Sequence, residues 1–323
     1  MSASALLGRL TGRRASKKTS HTPTGMSPTT PERLAIRQPR ISFDDTPLHW
    51  IPDDPQTVHT INVLHLLLPE GERWFCRAFH AVMPRVQDRG LRMQMRGFVG
   101  QEVEHANAHQ ELYELLMRNN IDPHDFIKYI DWLFHTALGE QPFGFPLNER
   151  AQQEWDLFRL AGVAAIEHFT GLLGSWLLRS EELQNAANDE AMMNLLLWHA
   201  AEEVEHQAVA HNIYRHLNGP EYLRWAAMGI TLPVLTGLWV WGTVYMQRRD
   251  PIHPSIPTPW AMFRAMRQKR LPTLGYIFGS VFPTYFRKDY YPGIVDPGAV
   301  TIAEEYLQDA PGIEYAHGAT ATA

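Results

Sequence analysis

Two short segments, Gln101-Glu102-Val103-Glu104-His105 and Glu202-Glu203-Val204-Glu205-His206, repeat one pattern about one hundred residues apart. Each sits inside a stretch whose apolar residues recur at helical spacing. At 100° per residue, a Glu and a His three positions apart differ by roughly 60° and about 4.5 Å of rise, so both can grip one ion from a single helix face. Glu102 with His105 and Glu203 with His206 are such pairs. One pair is common on helix surfaces, but two in matched helices leave few folds open. The intervening Glu104 and Glu205 point roughly 160° away and are expected to be solvated, or at best to support the ligands from behind.

Two paired motifs suit a four-helix bundle in which the other two helices each add one inward carboxylate. Glu72 fits, with Leu68 four positions before it and Phe75, Cys76 and Phe79 on the same face. Glu167 fits likewise, between Val163 and Ala164 and the small residues Thr170, Gly171 and Gly174, which are expected to leave room for a substrate. A carboxylate on an apolar face needs a partner. The expected fold is all-α: a ferritin-like four-helix bundle with extra apolar helices toward the C-terminus.

His199 precedes Glu203 by four residues and so lies within about 40° of it, giving His-x-x-x-Glu-x-x-His. Here the sequence resembles the aryl-amine N-oxygenase type of di-iron protein, and that resemblance implies His199 as a seventh ligand beside Glu72, Glu102, His105, Glu167, Glu203 and His206. His109 is expected to support the ligands from one turn away. His211 falls about 80° from Glu203 and is not expected to reach the ions, and His168 is expected to be structural. With Glu70-Gly71-Glu72-Arg73-Trp74-Phe75 and Ile166-Glu167-His168-Phe169, the chain is also similar, over roughly residues 40 to 300, to a bacterial family named predicted metal-dependent hydrolases.

The expected cofactor is two Fe ions, with Mn or Zn as alternatives, because imidazole and carboxylate donors without thiolates suit these metals. Glu102, Glu167 and Glu203 are the candidates to bridge them. The leading expectation is a non-haem di-iron or di-manganese oxidase or oxygenase that uses O2 on an apolar small molecule. The alternative keeps the site and uses it hydrolytically, through a water of lowered pKa. Iron storage is a third reading, and a homodimer is admitted by all three.

Other signatures are missing. His105-Ala106-Asn107-Ala108-His109 lacks the Glu of a helical zinc protease, and there is no Gly-x-Ser-x-Gly elbow, phosphate loop or Gly-x-Gly-x-x-Gly turn. The one cysteine, Cys76, excludes an intrachain disulfide framework and fits a reducing, cytoplasmic setting as a small buried residue. Net charge is −6, but residues 1–40 hold eight Lys/Arg against Glu32, leaving about −13 on the remainder. So acidic a body argues against nucleic acid as a partner.

Residues 1–40, rich in Ser, Thr and Pro, are expected to be a disordered basic tail, 41–220 the metal-binding bundle, 221–300 an apolar helical extension, and 301–323 a tail. Within the bundle the pattern predicts helices over residues 57–68, from Pro69 to Pro84, then 91–119, 123–138, 149–183 and 189–219. Residues 225–247 carry no charge and are long enough to span a bilayer or to cover the bundle. Together with the uncharged run 271–286 and the intervening Arg264, Arg267, Lys269 and Arg270, they raise the expectation of peripheral membrane contact through 225–286.

Overall fold

The computed structural model describes residues 34–315. Its elements, in chain order, are β1 (Arg37–Pro39), α1 (Pro55–Val82), α2 (Arg89–Arg118), α3 (His124–Asp131), α4 (Glu149–Arg179), α5 (Glu181–Ala186), α6 (Glu190–His206), α7 (Val209–His216), α8 (Glu221–Arg249), α9 (Pro259–Arg267), α10 (Leu274–Ser280), α11 (Ala299–Gln308) and β2 (Ile313–Tyr315). The fold is all-α, with α1, α2, α4 and α6 packed as a four-helix bundle and α7 extending the fourth rod.

Each bundle helix starts where a short polar side chain can take an orphan backbone N–H. Asp54 accepts from Thr57 at 3.2 Å, Asp88 from Leu91 at 2.8 Å, Asn148 from Ala151 at 3.0 Å and Asp189 from Met192 at 2.8 Å. Such a cap stabilises its helix by about 1 kcal/mol. The stripes facing inward then bury Leu66, Trp74, Phe79, Phe98, Leu112, Leu160, Val163 and Trp198.

Four expected boundaries are revised. Pro69 does not begin a second helix; it lies inside α1, which runs through 28 residues. Proline donates no backbone hydrogen bond, so the His65 carbonyl loses its helical partner. The helix nevertheless continues, because Leu66, Leu67 and Leu68 before it and Trp74 and Phe75 after it are buried in the same core. The third rod ends at Arg179, and α5 follows after Ser180. The fourth rod breaks after His206, where the Gln207 side-chain amide donates to the Val204 carbonyl at 3.0 Å, the acceptor that residue 208 would use in an unbroken helix. The expected helix over 123–138 is α3 followed by a π-helical turn, Trp132–Ala137.

Gly171 and Gly174 were expected to make room for a substrate; Gly174 does line a cavity, with Thr170, and both glycines also admit the facing chain. A Cβ on Gly174 would sit 2.5 Å from the Ala200 carbonyl oxygen, and one on Gly171 would sit 2.9 Å from Gln207 Cβ. Small residues here let α4 and α6 approach closely.

Residues 34–40, expected within the basic tail, are built into the fold. Leu34 is buried, the bare face of Gly97 on α2 meets it, and β1 pairs antiparallel with β2. Residues 1–33 of the expected tail lie outside the described residues, as do 316–323 of the C-terminal one, whereas α11 and β2 occupy its beginning.

Two helices are long and apolar enough to cross a membrane by length and composition, α4 and α8. In α4, 72% of the apolar window is buried inside the bundle, whereas in α8 only 22% is. Helix α8 lies along α1 and α4 and covers them with one side, burying Ala227, Met228, Gly242 and Met246. Its other side faces outward.

Candidate metal centre

The six residues singled out by sequence pattern, and His199, which the resemblance implied, meet at one buried place between the four rods. Glu72 comes from α1, Glu102 and His105 from α2, Glu167 from α4, and His199, Glu203 and His206 from α6. Glu72 is 1% exposed, Glu102, His105, Glu167 and His206 are 0%, and Glu203 and His199 are 3% and 6%. Two sets of donor atoms cluster there: Glu72, His105, His199 and Glu203, and Glu102, His105, Glu203 and His206. Glu167 lies beside the second set, with Oε2 at 3.8 Å from His206 Nε2.

Glu203 is the hub. Its Oε1 lies 2.7 Å from His199 Nε2, 3.4 Å from His105 Nδ1 and 3.4 Å from His206 Nε2. Other approaches are wider, with His206 Nδ1 to Glu102 Oε1 at 3.4 Å, His199 Nε2 to Glu72 Oε1 at 3.6 Å and His105 Nδ1 to Glu102 Oε2 at 3.9 Å. Spacings of 3.4 to 3.9 Å are long for hydrogen bonds. They are close to the roughly 3–3.5 Å between neighbouring donors around an ion with bonds of about 2.0–2.2 Å.

Electrostatics point the same way. Among the described residues, neither oxygen of Glu72, Glu102 or Glu167 has a hydrogen-bond donor. Burial pushes all three carboxyls well above the usual carboxylate range, and the neighbouring Glu203 carboxylate adds to the rise. Burial also opposes charge on Glu203, but the rings of His206, His199 and His105 outweigh it and hold that carboxyl well below the usual range. An unpaired buried carboxylate costs several kcal/mol. This site has three, and their charge is what a pair of divalent cations offsets.

Outside the cluster, further buried groups fix the ring orientations. His105 Nε2 donates to Glu202 Oε2 at 2.9 Å, and Arg37 in turn donates to Glu202 Oε1 at 2.8 Å and Glu205 Oε2 at 3.0 Å. Gln101 donates to the same Glu205 oxygen at 2.8 Å. Burial works against charge on His105, yet its contacts with Glu202 and Glu203 raise it to about 10. On the other side, His199 Nδ1 lies 2.5 Å from His109 Nε2, and His109 Nδ1 lies 2.8 Å from His65 Nδ1. Burial, with a smaller contribution from the His199 imidazole, lowers His65 to about 3 and keeps it neutral.

His109 therefore supports His199, as its position suggested. Glu104 takes a hydrogen bond from Gln38 and is partly buried, while Glu205, expected to be solvated, is buried because β1 brings Arg37 across it. His168 bonds the Tyr290 hydroxyl at 3.0 Å and His211 packs edge-on to that ring, away from the cluster. Sequence reasoning missed Arg37, Glu202, Gln101 and His65. The only available signal was for Glu202, since Gln101 and Glu202 occupy the same place in the repeated segments.

A cavity of about 320 Å3 adjoins the cluster. Among the described residues, Glu72, His199 and Glu203 are the only ionisable side chains on its wall, and the rest is chiefly Leu, Ile, Phe, Trp and Met from α1, α4, α8, α9 and α10. Its volume is that of a small-molecule site of roughly 300–1,000 Å3.

A family model described as predicted metal-dependent hydrolase matches residues 35–296. The chain belongs to this family. No curated protein and no solved structure matches it. A buried set of carboxylates and imidazoles agrees with the metal dependence in that description, which is thereby indicated without fixing which metal.

Proposed function

We propose that the chain is a dinuclear metal-dependent hydrolase of an apolar ester or amide, with Glu72, Glu102, His105, Glu167, His199, Glu203 and His206 as metal ligands. The observation that carries this reading is the set of wholly buried oxygens on Glu72, Glu102 and Glu167 with no donor to satisfy them, next to an apolar cavity in a chain of hydrolase family. Divalent ions held there would supply a water of lowered pKa and polarise a carbonyl.

The chain's own residues do the rest. Glu203 offers one carboxylate to both donor sets, and Glu72, Glu102 and Glu167 neutralise the charge. With Nε2 of His199 given to a metal, its Nδ1–H donates to His109 Nε2, whose own Nδ1–H donates to His65 Nδ1, so one tautomer is fixed along the chain. Glu202, itself held by Arg37, does the same for His105. The apolar wall holds the substrate chain and excludes bulk water.

A second reading, an oxidase or oxygenase acting with O2, is favoured by one observation. One Glu on each of α1 and α4, with a Glu-x-x-His on each of α2 and α6, is the donor arrangement of di-iron carboxylate bundles. Elemental analysis followed by two assays separates the readings. Hydrolysis of medium-chain nitrophenyl esters that chelation abolishes supports the first. A transient visible absorption when O2 reaches anaerobic, ferrous-loaded protein, without ester hydrolysis, supports the second. Glu203→Ala should lose most bound metal while keeping its helical circular dichroism; full occupancy in that variant refutes the ligand assignment behind both.

A further inference from the structure

The outer sides of α8, α9 and α10 carry an unusual surface for a water-facing wall. On α9, Trp260, Phe263, Arg264 and Arg267 follow the i, i+3, i+4, i+7 rule and share one exposed face, with Trp260 70% and Phe263 51% exposed. Met262 and Met266, on the opposite side of that helix, line the cavity beside the metal centre. From Ala226 to Trp241 the outward stripe of α8 carries Ala226, Ile230, Val234, Val240 and Trp241 and no charged residue, and exposed Arg248 follows one heptad later. Leu274 at the start of α10 and Phe282 just beyond its end are 57% and 62% exposed. Val240 and Leu274 are both exposed and on the cavity wall, so the cavity meets the surface within this patch.

Charge singles out the same region. Residues 222–288 hold nine Lys/Arg against one acid, Asp250, so the rest of the chain carries about −14. Lys269 pairs with Glu182 and Arg270 with Asp54, but among the described residues Arg264 and Arg267 make no ion pair. Tryptophan, phenylalanine and arginine on one helix face, over an apolar neighbour, suit the boundary between lipid headgroups and acyl chains.

We propose that α8, α9 and α10 form a face that docks on an anionic lipid bilayer, and that the cavity opening on it receives a long-chain acyl substrate from that surface. The docking face stands on the surface alone, whereas the substrate class rests on the hydrolase reading. Helix α8 lies flat on α1 and α4, so the chain sits on the bilayer rather than across it.

The test uses the full chain and co-sedimentation with vesicles of phosphatidylcholine, with and without phosphatidylglycerol. Binding to the mixed vesicles, weakened by salt, is expected. Arg264→Gln with Arg267→Gln should lower the partition constant about thirty-fold, since each cation near an anionic surface contributes about 1 kcal/mol. Trp260→Ser with Phe263→Ser should abolish binding, with circular dichroism and metal content unchanged in both variants. Absence of vesicle binding, or variants that bind like the parent, overturns the docking face. So does a dimer by light scattering that Trp260→Ser with Phe263→Ser dissociates, in a protein that ignores vesicles. Dodecanoate should raise the melting temperature and acetate should not; an equal response to both overturns the acyl assignment. Because vesicle binding is read without turnover, failure of the hydrolase reading leaves its outcome intact.

Discussion

Removing metal from this protein should give it a steep and unusual dependence of stability on pH, and the structure fixes where. In the metal-free state, buried Glu72, Glu102 and Glu167 keep their protons well above the ordinary 4.5. Unfolding releases those protons, so stability falls as pH rises through that range. Below 6.5 this is opposed, because burial lowers His65 to about 3 and His168 to about 4 and also depresses His109 and His199. Those imidazoles take up protons on unfolding, so they make stability rise with pH until 6.5, the ordinary value of the ring. Above 6.5 they are neutral in both states and the carboxyls act alone, joined by His105, which holds its proton up to about 10.

His105 then releases a proton on unfolding, at about 1.4 kcal/mol per pH unit, and each carboxyl that keeps its proton adds to that slope. At about 2–4 °C per kcal/mol, chelated protein should lose at least about 3 °C in melting temperature from about pH 7 to 8. Bound metal displaces those protons, so loaded protein should be nearly flat over the same range. Thermal melts with chelator or with added divalent metal, across that window, make the comparison. Parallel curves for the two forms would refute a buried carboxylate cluster that cations neutralise.

Arg37→Ala leaves Glu202 and Glu205 buried without their cation and should cost about 3–5 kcal/mol in urea unfolding, while Arg37→Lys recovers only part. Asp250→Asn should cost on the order of 1.5–3 kcal/mol, since Asp250 Oδ2 binds His49 at 2.6 Å and His59 at 2.8 Å and ties the end of α8 to α1. Gly174→Ala should destabilise by about 1–3 kcal/mol and lower metal content, because the added Cβ meets the Ala200 carbonyl and pushes α6 away.

The bundle and the place of its seven polar residues were legible because helical periodicity and the Glu-x-x-His spacing are local facts. Position along a helix fixes direction to within tens of degrees, and convergence of four rods did the remainder. Long-range features were not legible. Arg37 sits 165 residues before Glu202, and nothing near it in sequence marks it as a partner for a buried carboxylate. Pro69 reads locally as a helix start, yet burial on both sides carries α1 through it. The break after His206 depends on a side-chain amide competing for one carbonyl, a choice that periodicity does not encode. Glu205 was misjudged because its angle on α6 says which way it points and not what lies there.

The short sheet adds a constraint on how the molecule is made. Arg40 and Glu314, joined by an ion pair beside the β1–β2 ladder, are 274 positions apart. A ribosome delivers all four ligand-bearing rods long before it delivers the strand that completes this ladder. The clasp around His105 is thus finished last, and a nascent chain exposes its carboxylates to metal ions while that flank is still open.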